Sequence, residues 1–258
     1  MNTGIMAVTA APFGRGVTIV SDRSVPTYDI TSDGTGLFGP FQLNLTQADR
    51  DTTITSAEAY RKPNPSGPSS LFATFAPLLS GGSYQYAKFA QIITPVQNNL
   101  TSLFCAYGVP TLLSDRPTTT AAYTNTFTSG NLAITENVGA GPRSDYAISS
   151  TAISLSGNPT TGQISVTINL KGRLRTGGTT STTVTDIATY TGQVTIDGSE
   201  QSFDGVLVDS TNTVAGTFAG WFFGPQGREA ALSFSVQQRR ADNSDVTAGA
   251  VAFLTPGS

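Results

Sequence analysis

The chain contains no histidine. That absence removes Ser-His-Asp and Cys-His catalysis and the commonest transition-metal ligand. The one cysteine, Cys105, excludes an intrachain disulfide and cannot assemble a zinc site without partners. Its context, Leu103-Phe104-Cys105-Ala106-Tyr107, reads as a small buried hydrophobe and lies too far along the chain for a lipobox. Haem held by an axial histidine is excluded by the same count, although a Tyr or Met ligand remains open in principle. Charged residues make up 12% of the chain, where about 25% is usual. A formal charge of −3 gives no basic footprint for nucleic acid or anionic lipid. No run approaches the roughly 18 apolar residues of a membrane-spanning helix, and the strands lack the aromatic girdles of a lipid-facing barrel. Residues 1–16 lack the basic and apolar regions of a secretory leader. Three readings follow: a leader already removed, export by another route, or residence inside the cell.

What the 258 residues do contain is glycine, serine and threonine arranged in two-residue periods. In the stretch from Val214 to Val236, Val214, Gly216, Phe218, Gly220 and Phe222 share one face of a strand. Ala215, Thr217, Ala219, Trp221 and Phe223 share the other. Ala230, Leu232, Phe234 and Val236 then alternate with Ala231, Ser233, Ser235 and Gln237, with Gly224-Pro225 and Gly227 as the turn. Glycine at every second strand position is costly unless the sheet curves hard or a ring lies over bare backbone. Curvature and closure are what a small barrel needs.

From Ala121 onward, turn signals recur at the spacing of an antiparallel meander. Eight strands are expected: 123–127, 146–155, 163–174, 183–196, 201–208, 214–223, 229–238 and 248–254. Turns are expected at Gly157-Asn158-Pro159, Gly177-Gly178, Asp197-Gly198 and Asp209 to Asn212. Eight such strands suit an up-and-down barrel filled by side chains. Before them, Val17 and Ile19, then Phe41, Leu43 and Leu45, then Ile54 show short alternating runs. Turns are expected at Pro26, Asp33-Gly34 and Gly39-Pro40, and a proline-rich loop from Lys62 to Pro68. One helical turn is expected within Phe72 to Leu79. Strands are expected at 84–92 and 100–107, with Pro95 to Asn99 between them.

Gly216-x-Phe218-x-Gly220-x-Phe222-Phe223-Gly224-Pro225-x-x-x-Glu229, followed by Phe234, resembles the signature hairpin of the transferrin-binding protein B-like barrel domain. That family comprises bacterial surface lipoproteins and related solute-binding proteins. Tyr107-Gly108-Val109-Pro110-Thr111, then Pro117 and Tyr123, resembles the family's passage from handle domain to barrel. Two features depart from the pattern. Ala230-Ala231 stands where members often carry Gly-Gly, and the usual lipoprotein leader is missing. The resemblance implies an all-β chain: residues 1–115 as a small antiparallel handle sheet packed beside an eight-stranded antiparallel up-and-down β-barrel of residues 116–258.

Candidate site residues are few. Glu229 beside Arg228 reads as a carboxylate that accepts hydrogen bonds from the turn and pins the hairpin; the other role is a general acid or partner contact. Gly216, Phe218, Gly220, Phe222, Phe223, Gly224 and Pro225 read with it as structural. Trp221, Phe222 and Phe223 read as barrel filling rather than as an aromatic ligand platform. Asp242-Asn243-Ser244-Asp245 and Asp29 to Asp33 are oxygen-rich but lack an EF-hand's spacing, so they read as plain turns and no metal is expected. Lys171, Arg173 and Arg175 bring three cations to a hairpin ending in Gly177-Gly178. They are the candidate partner-binding residues, set against an edge hairpin kept soluble by its charge.

The family implies a non-enzymatic surface, periplasmic or secreted protein that captures a nutrient carrier, metal complex or other solute. No cofactor is implied, and a TonB-dependent outer-membrane receptor is the companion. The alternative is a structural or adhesive appendage subunit that self-associates.

Overall fold

Alternation along one strand sets the architecture. In 163–176, Ile164, Val166, Ile168 and Leu170 are buried, while Gln163 is exposed and Ser165, Thr167 and Asn169 are partly exposed. One face therefore looks into a core and the other outward. The computed structural model describes residues 17–22, 27–32, 40–65, 67–79, 82–96, 99–136, 141–149, 151–158, 161–196 and 202–257. The turns expected at Pro26, Asp33-Gly34, Gly39 and Asp197-Gly198 lie outside them, as do Pro159 and residues 1–16.

Among the described residues the N-terminal part holds nine strands: β1 (Val17–Asp22), β2 (Thr27–Ser32), β3 (Phe41–Leu45), β4 (Glu58–Lys62), β5 (Ser70–Phe75), β6 (Leu78–Leu79), β7 (Gly82–Ser83), β8 (Ala87–Val96) and β9 (Asn99–Gly108). They form antiparallel sheets ordered β1-β2-β3 and β4-β5-β8-β9, with β6 and β7 as a two-residue ladder. Three details differ from expectation. Phe72 to Leu79 is extended rather than helical, because Phe72 and Thr74 are buried on one face by period two while their backbone pairs with β4 and β8. The connector between β8 and β9 is shorter than Pro95 to Asn99, since Pro95 and Val96 pair with Leu100 and Asn99. Asp29 to Ser32 is not a turn but part of β2, where Ile30 is buried and Asp29 pairs with Val20 and Asn44.

Ten more strands follow among the described residues: β10 (Ala121–Thr135), β11 (Arg143–Ile148), β12 (Ala152–Asn158), β13 (Gln163–Thr176), β14 (Thr179–Thr180), β15 (Thr185–Thr195), β16 (Ser202–Val208), β17 (Val214–Phe223), β18 (Glu229–Arg239) and β19 (Asp245–Pro256). β10 pairs β19 from Tyr123–Pro256 to Thr135–Asp245, which joins the first strand to the last. On its other side β10 pairs β12 near its start and β11 near its end, and both pair β13. β11 and β12 thus fill one position of a closed eight-position ring, completed by β13, β15, β16, β17, β18 and β19. Closure leaves the ring no free edge.

The single strand expected over 146–155 is therefore broken in two, and the break is patched by side chains. The Thr151 hydroxyl donates to Lys171 O and accepts from Lys171 N, both at 3.0 Å. Asn125 donates to Thr151 O and accepts from Ile153 N. β10 is bulged at Thr126, between Asn125 and Phe127, and the ladder of β13 with β15 shifts register beside Lys171, where Ile187 of β15 is the extra residue.

The four-stranded sheet of the handle is buried on both faces. One face packs Tyr60, Phe72, Ala90, Ile92 and Leu103 against Tyr28, Ile30, Leu43 and Leu45 of the three-stranded sheet. The other lays Phe75, Phe89, Phe104 and Ala106 on Phe127, Trp221, Phe223, Ala231, Val251 and Phe253 of the barrel's outer wall. Phe127 is the hub of that contact, with its ring 5.3 Å from Phe89, 5.6 Å from Phe75 and 5.9 Å from Phe253. The chain is an all-β handle packed beside an antiparallel eight-position barrel.

Candidate functional site

The two sequence segments that carry the resemblance meet in space. Val109 N donates to Tyr86 O, Gly224 N to Val109 O and Thr111 N to Phe222 O, so residues 109–111 run as a short added strand beside the end of β17. The Thr111 hydroxyl closes on Gly224 O at 2.6 Å. Tyr123, at the start of β10, donates its hydroxyl to Gly227 O at 2.8 Å. Asp115 accepts from Gln226 N at 3.2 Å.

Glu229 lies at the centre of this joint, buried to 5% exposure. Its Oε1 accepts from Gln85 N at 2.7 Å, and its Oε2 from Tyr86 N at 2.9 Å and Ala87 N at 2.8 Å. The partners are handle backbone about 143 residues away in sequence, not the hairpin's own turn, which is where the sequence placed them. A buried carboxylate needs such donors to offset desolvation, and three converging N–H groups supply them.

The motif's other residues divide between the barrel's two faces. Phe218 and Phe222 point inward, and the Phe203 ring lies between them at 6.4 and 5.4 Å. Trp221 and Phe223 do not fill the barrel, as the sequence suggested, but lie on its outer wall under the handle. A Cβ on Gly220 would stand 2.4 Å from the Phe203 ring and 2.7 Å from Ala231 O, so the ring occupies the space a side chain would take. Gly224 has φ +72° and lies against the Tyr86 ring, Pro225 opens a short 3-10 turn, and Gly216 packs on the backbone of Ser235.

Lys171, Arg173 and Arg175 alternate along the outward face of β13, toward the end away from the joint. Lys171 Nζ pairs with Asp186 Oδ1 at 2.9 Å across the ladder to β15. Arg175 stands opposite Asp145 in register, but that carboxylate pairs with Arg143 Nε at 2.8 Å. Among the described residues neither Arg173 nor Arg175 has an ion-pair partner, and the Arg173 Nε is buried without a hydrogen bond. Arg175, Arg143, Asn131, Tyr146 and Thr180 border an open basin of about 680 Å³ at this end. Lys171 and Arg173 lie further down the same face and do not line it. Arg143 carries no signal in the sequence, because only the pairing of β11 with β13 brings it there.

Burial pushes the Cys105 thiol up to about 12, which keeps it protonated and inert. Burial likewise raises the phenols of Tyr84, Tyr123 and Tyr190 to about 12. The Asp242–Asp245 segment is a turn in which Asp242 accepts from the backbone and hydroxyl of Ser244. No group of three or more metal-ligating side chains occurs among the described residues.

No protein-family model matches this chain, and no curated protein matches it. Solved structures are similar to it. One is transferrin-binding protein B of Haemophilus parasuis Hp5, at 18% identity over 84% of this chain and 39% of that one, with a TM-score of 0.45. HpuA of Kingella denitrificans, solved in complex with human haemoglobin, matches at 17% identity over 97% of this chain and 90% of its own, with a TM-score of 0.40. The N-lobe domain of lactoferrin-binding protein B of Moraxella bovis matches at 13% identity over 94% and 98%, with a TM-score of 0.40. The chain spans about two-fifths of the length of the Haemophilus parasuis protein. At these values the likeness is one of resemblance, and the handle-and-barrel fold rests on the strand registers themselves.

Proposed function

We propose that the chain is a non-enzymatic bacterial surface or secreted protein that captures a nutrient carrier, metal complex or other solute by surface complementarity. In this reading residues 1–115 act as the handle and residues 116–258 as the capture barrel. Lys171, Arg173 and Arg175 form the contact surface, and a TonB-dependent receptor is the downstream companion. One observation carries the reading: among the described residues, Arg173 and Arg175 lack ionic partners on the outward face of a strand whose frame is closed and braced. Guanidinium groups without carboxylate partners on a preformed scaffold suit an acidic protein surface, because little ordering entropy opposes docking.

The test uses immobilised full chain and a panel of human transferrin, lactoferrin and haemoglobin at two salt concentrations. Capture of at least one carrier, weakened by salt and weakened roughly tenfold or about 1.4 kcal/mol in Arg173→Ala/Arg175→Ala, is the expected result. Equal capture by the variant, or self-association without capture, contradicts it.

A further inference from the structure

The basin at the barrel end away from the joint is charged in one sense. Among the described residues its lining holds two guanidinium groups, Arg143 and Arg175, and one carboxylate, Asp145. Arg143 Nε holds Asp145 Oδ1 at 2.8 Å, which neutralises that pair. Arg175 is exposed and has no ion-pair or hydrogen-bond partner among the described residues, so the lining keeps one uncompensated positive charge. We propose that this basin binds a sugar that bears a carboxylate, a sialic or uronic acid. The proposal rests on the capture reading only in taking Arg175 as a binding residue.

Guanidinium geometry selects the acid, since its parallel N–H donors match a carboxylate two for two. The rest of the lining selects the sugar. Asn131, Tyr146 and Thr180 border the basin, and no hydrogen bond engages their side chains among the described residues. An amide, a phenol and an aliphatic hydroxyl each both donate and accept. A sugar hydroxyl does both as well and can satisfy them, whereas a bare carboxylate or sulfate only accepts. An apolar acid finds little to cover, because Leu132 is 1% exposed and the Tyr146 ring packs on the barrel core. The volume of about 680 Å³ lies within the roughly 300–1,000 Å³ usual for ligand sites and has room for a sugar ring. One rim is preformed: Gly177 and Gly178, at φ +56° and +84°, make the tight two-residue turn between β13 and β14.

The experiment titrates N-acetylneuraminate and glucuronate, in separate arms, into the full chain, each compared with its uncharged methyl ester and with acetate. Methyl NMR follows Leu132 in the basin, with Ile168 in the barrel interior as a fold control. At least one sugar acid should shift Leu132 saturably, its ester should bind roughly tenfold more weakly, and the tighter arm identifies the sugar. Arg175→Gln should bring the acid down to the ester's affinity, while Asn131→Ala should weaken acid and ester alike. Equal binding of acid and ester by the wild-type chain overturns the proposal without any variant, as does acetate binding as tightly as the sugar acids. So does unaltered affinity in Arg175→Gln or Asn131→Ala, or no shift of Leu132 at about 10 mM of either acid. Sugar binding without capture of any carrier upholds this inference and removes the capture reading; carrier capture without sugar binding does the reverse.

Discussion

Three backbone N–H groups from the handle converge on the two oxygens of Glu229. Replacing the carboxylate by an amide puts an N–H₂ group where donors already point. Glu229→Gln should therefore cost about 2–3 kcal/mol, read as a lower denaturant midpoint at unchanged m-value. Gly220 makes the complementary case, in which a methyl group has no room beside the Phe203 ring and Ala231 O. Gly220→Ala should cost about 1–3 kcal/mol, and Gly220→Ala/Phe203→Leu should cost less than the sum of its parts, because the smaller side chain vacates the contact. Denaturation of the two single variants and the double variant checks this. The sequence displayed Glu229 and the alternating glycines plainly. It could not display the donors at Gln85 to Ala87, since no local periodicity links residues so far apart.

At the scale of strands, β13 was readable because water covers one face and the core the other. β19 is harder to read: Ala248, Ala250, Ala252 and Leu254 line the interior while Val251 and Phe253 lie under the handle, so both faces are apolar. The break after Ile148 was not readable either, because Thr151 and Asn125 replace ladder bonds with side-chain bonds and leave the hydrophobic pattern intact. Thr151→Val keeps the shape and removes both contacts to Lys171. It should destabilise the chain by about 1–3 kcal/mol, with amide shift changes concentrated where Thr151 and Asn125 bridge β10, β12 and β13.

For the whole molecule, the missing histidine predicts a flat stability profile around neutral pH. Hydrogen bonds from Thr211 and Ser244 hold Asp209 and Asp242 below their ordinary 3.8, so their contribution is present above that value and is lost as acid protonates them. Burial raises Cys105 above 9.0, and Tyr84, Tyr123 and Tyr190 above 10.0, all to about 12. Their contribution is complete below pH 9.0 and is lost as pH rises toward 12. A Tm series should show a plateau from about pH 5 to 9 and a fall on either side.

The account depends most on handle and barrel moving as one braced frame, which amide hydrogen exchange of Gln85, Tyr86 and Ala87 measures directly. In the wild-type chain these amides should exchange as slowly as the barrel strands, and in Glu229→Gln they should exchange fast while β13 stays protected. Fast exchange at all three in the wild-type chain, with the barrel still protected, would show a loose hinge and contradict the account.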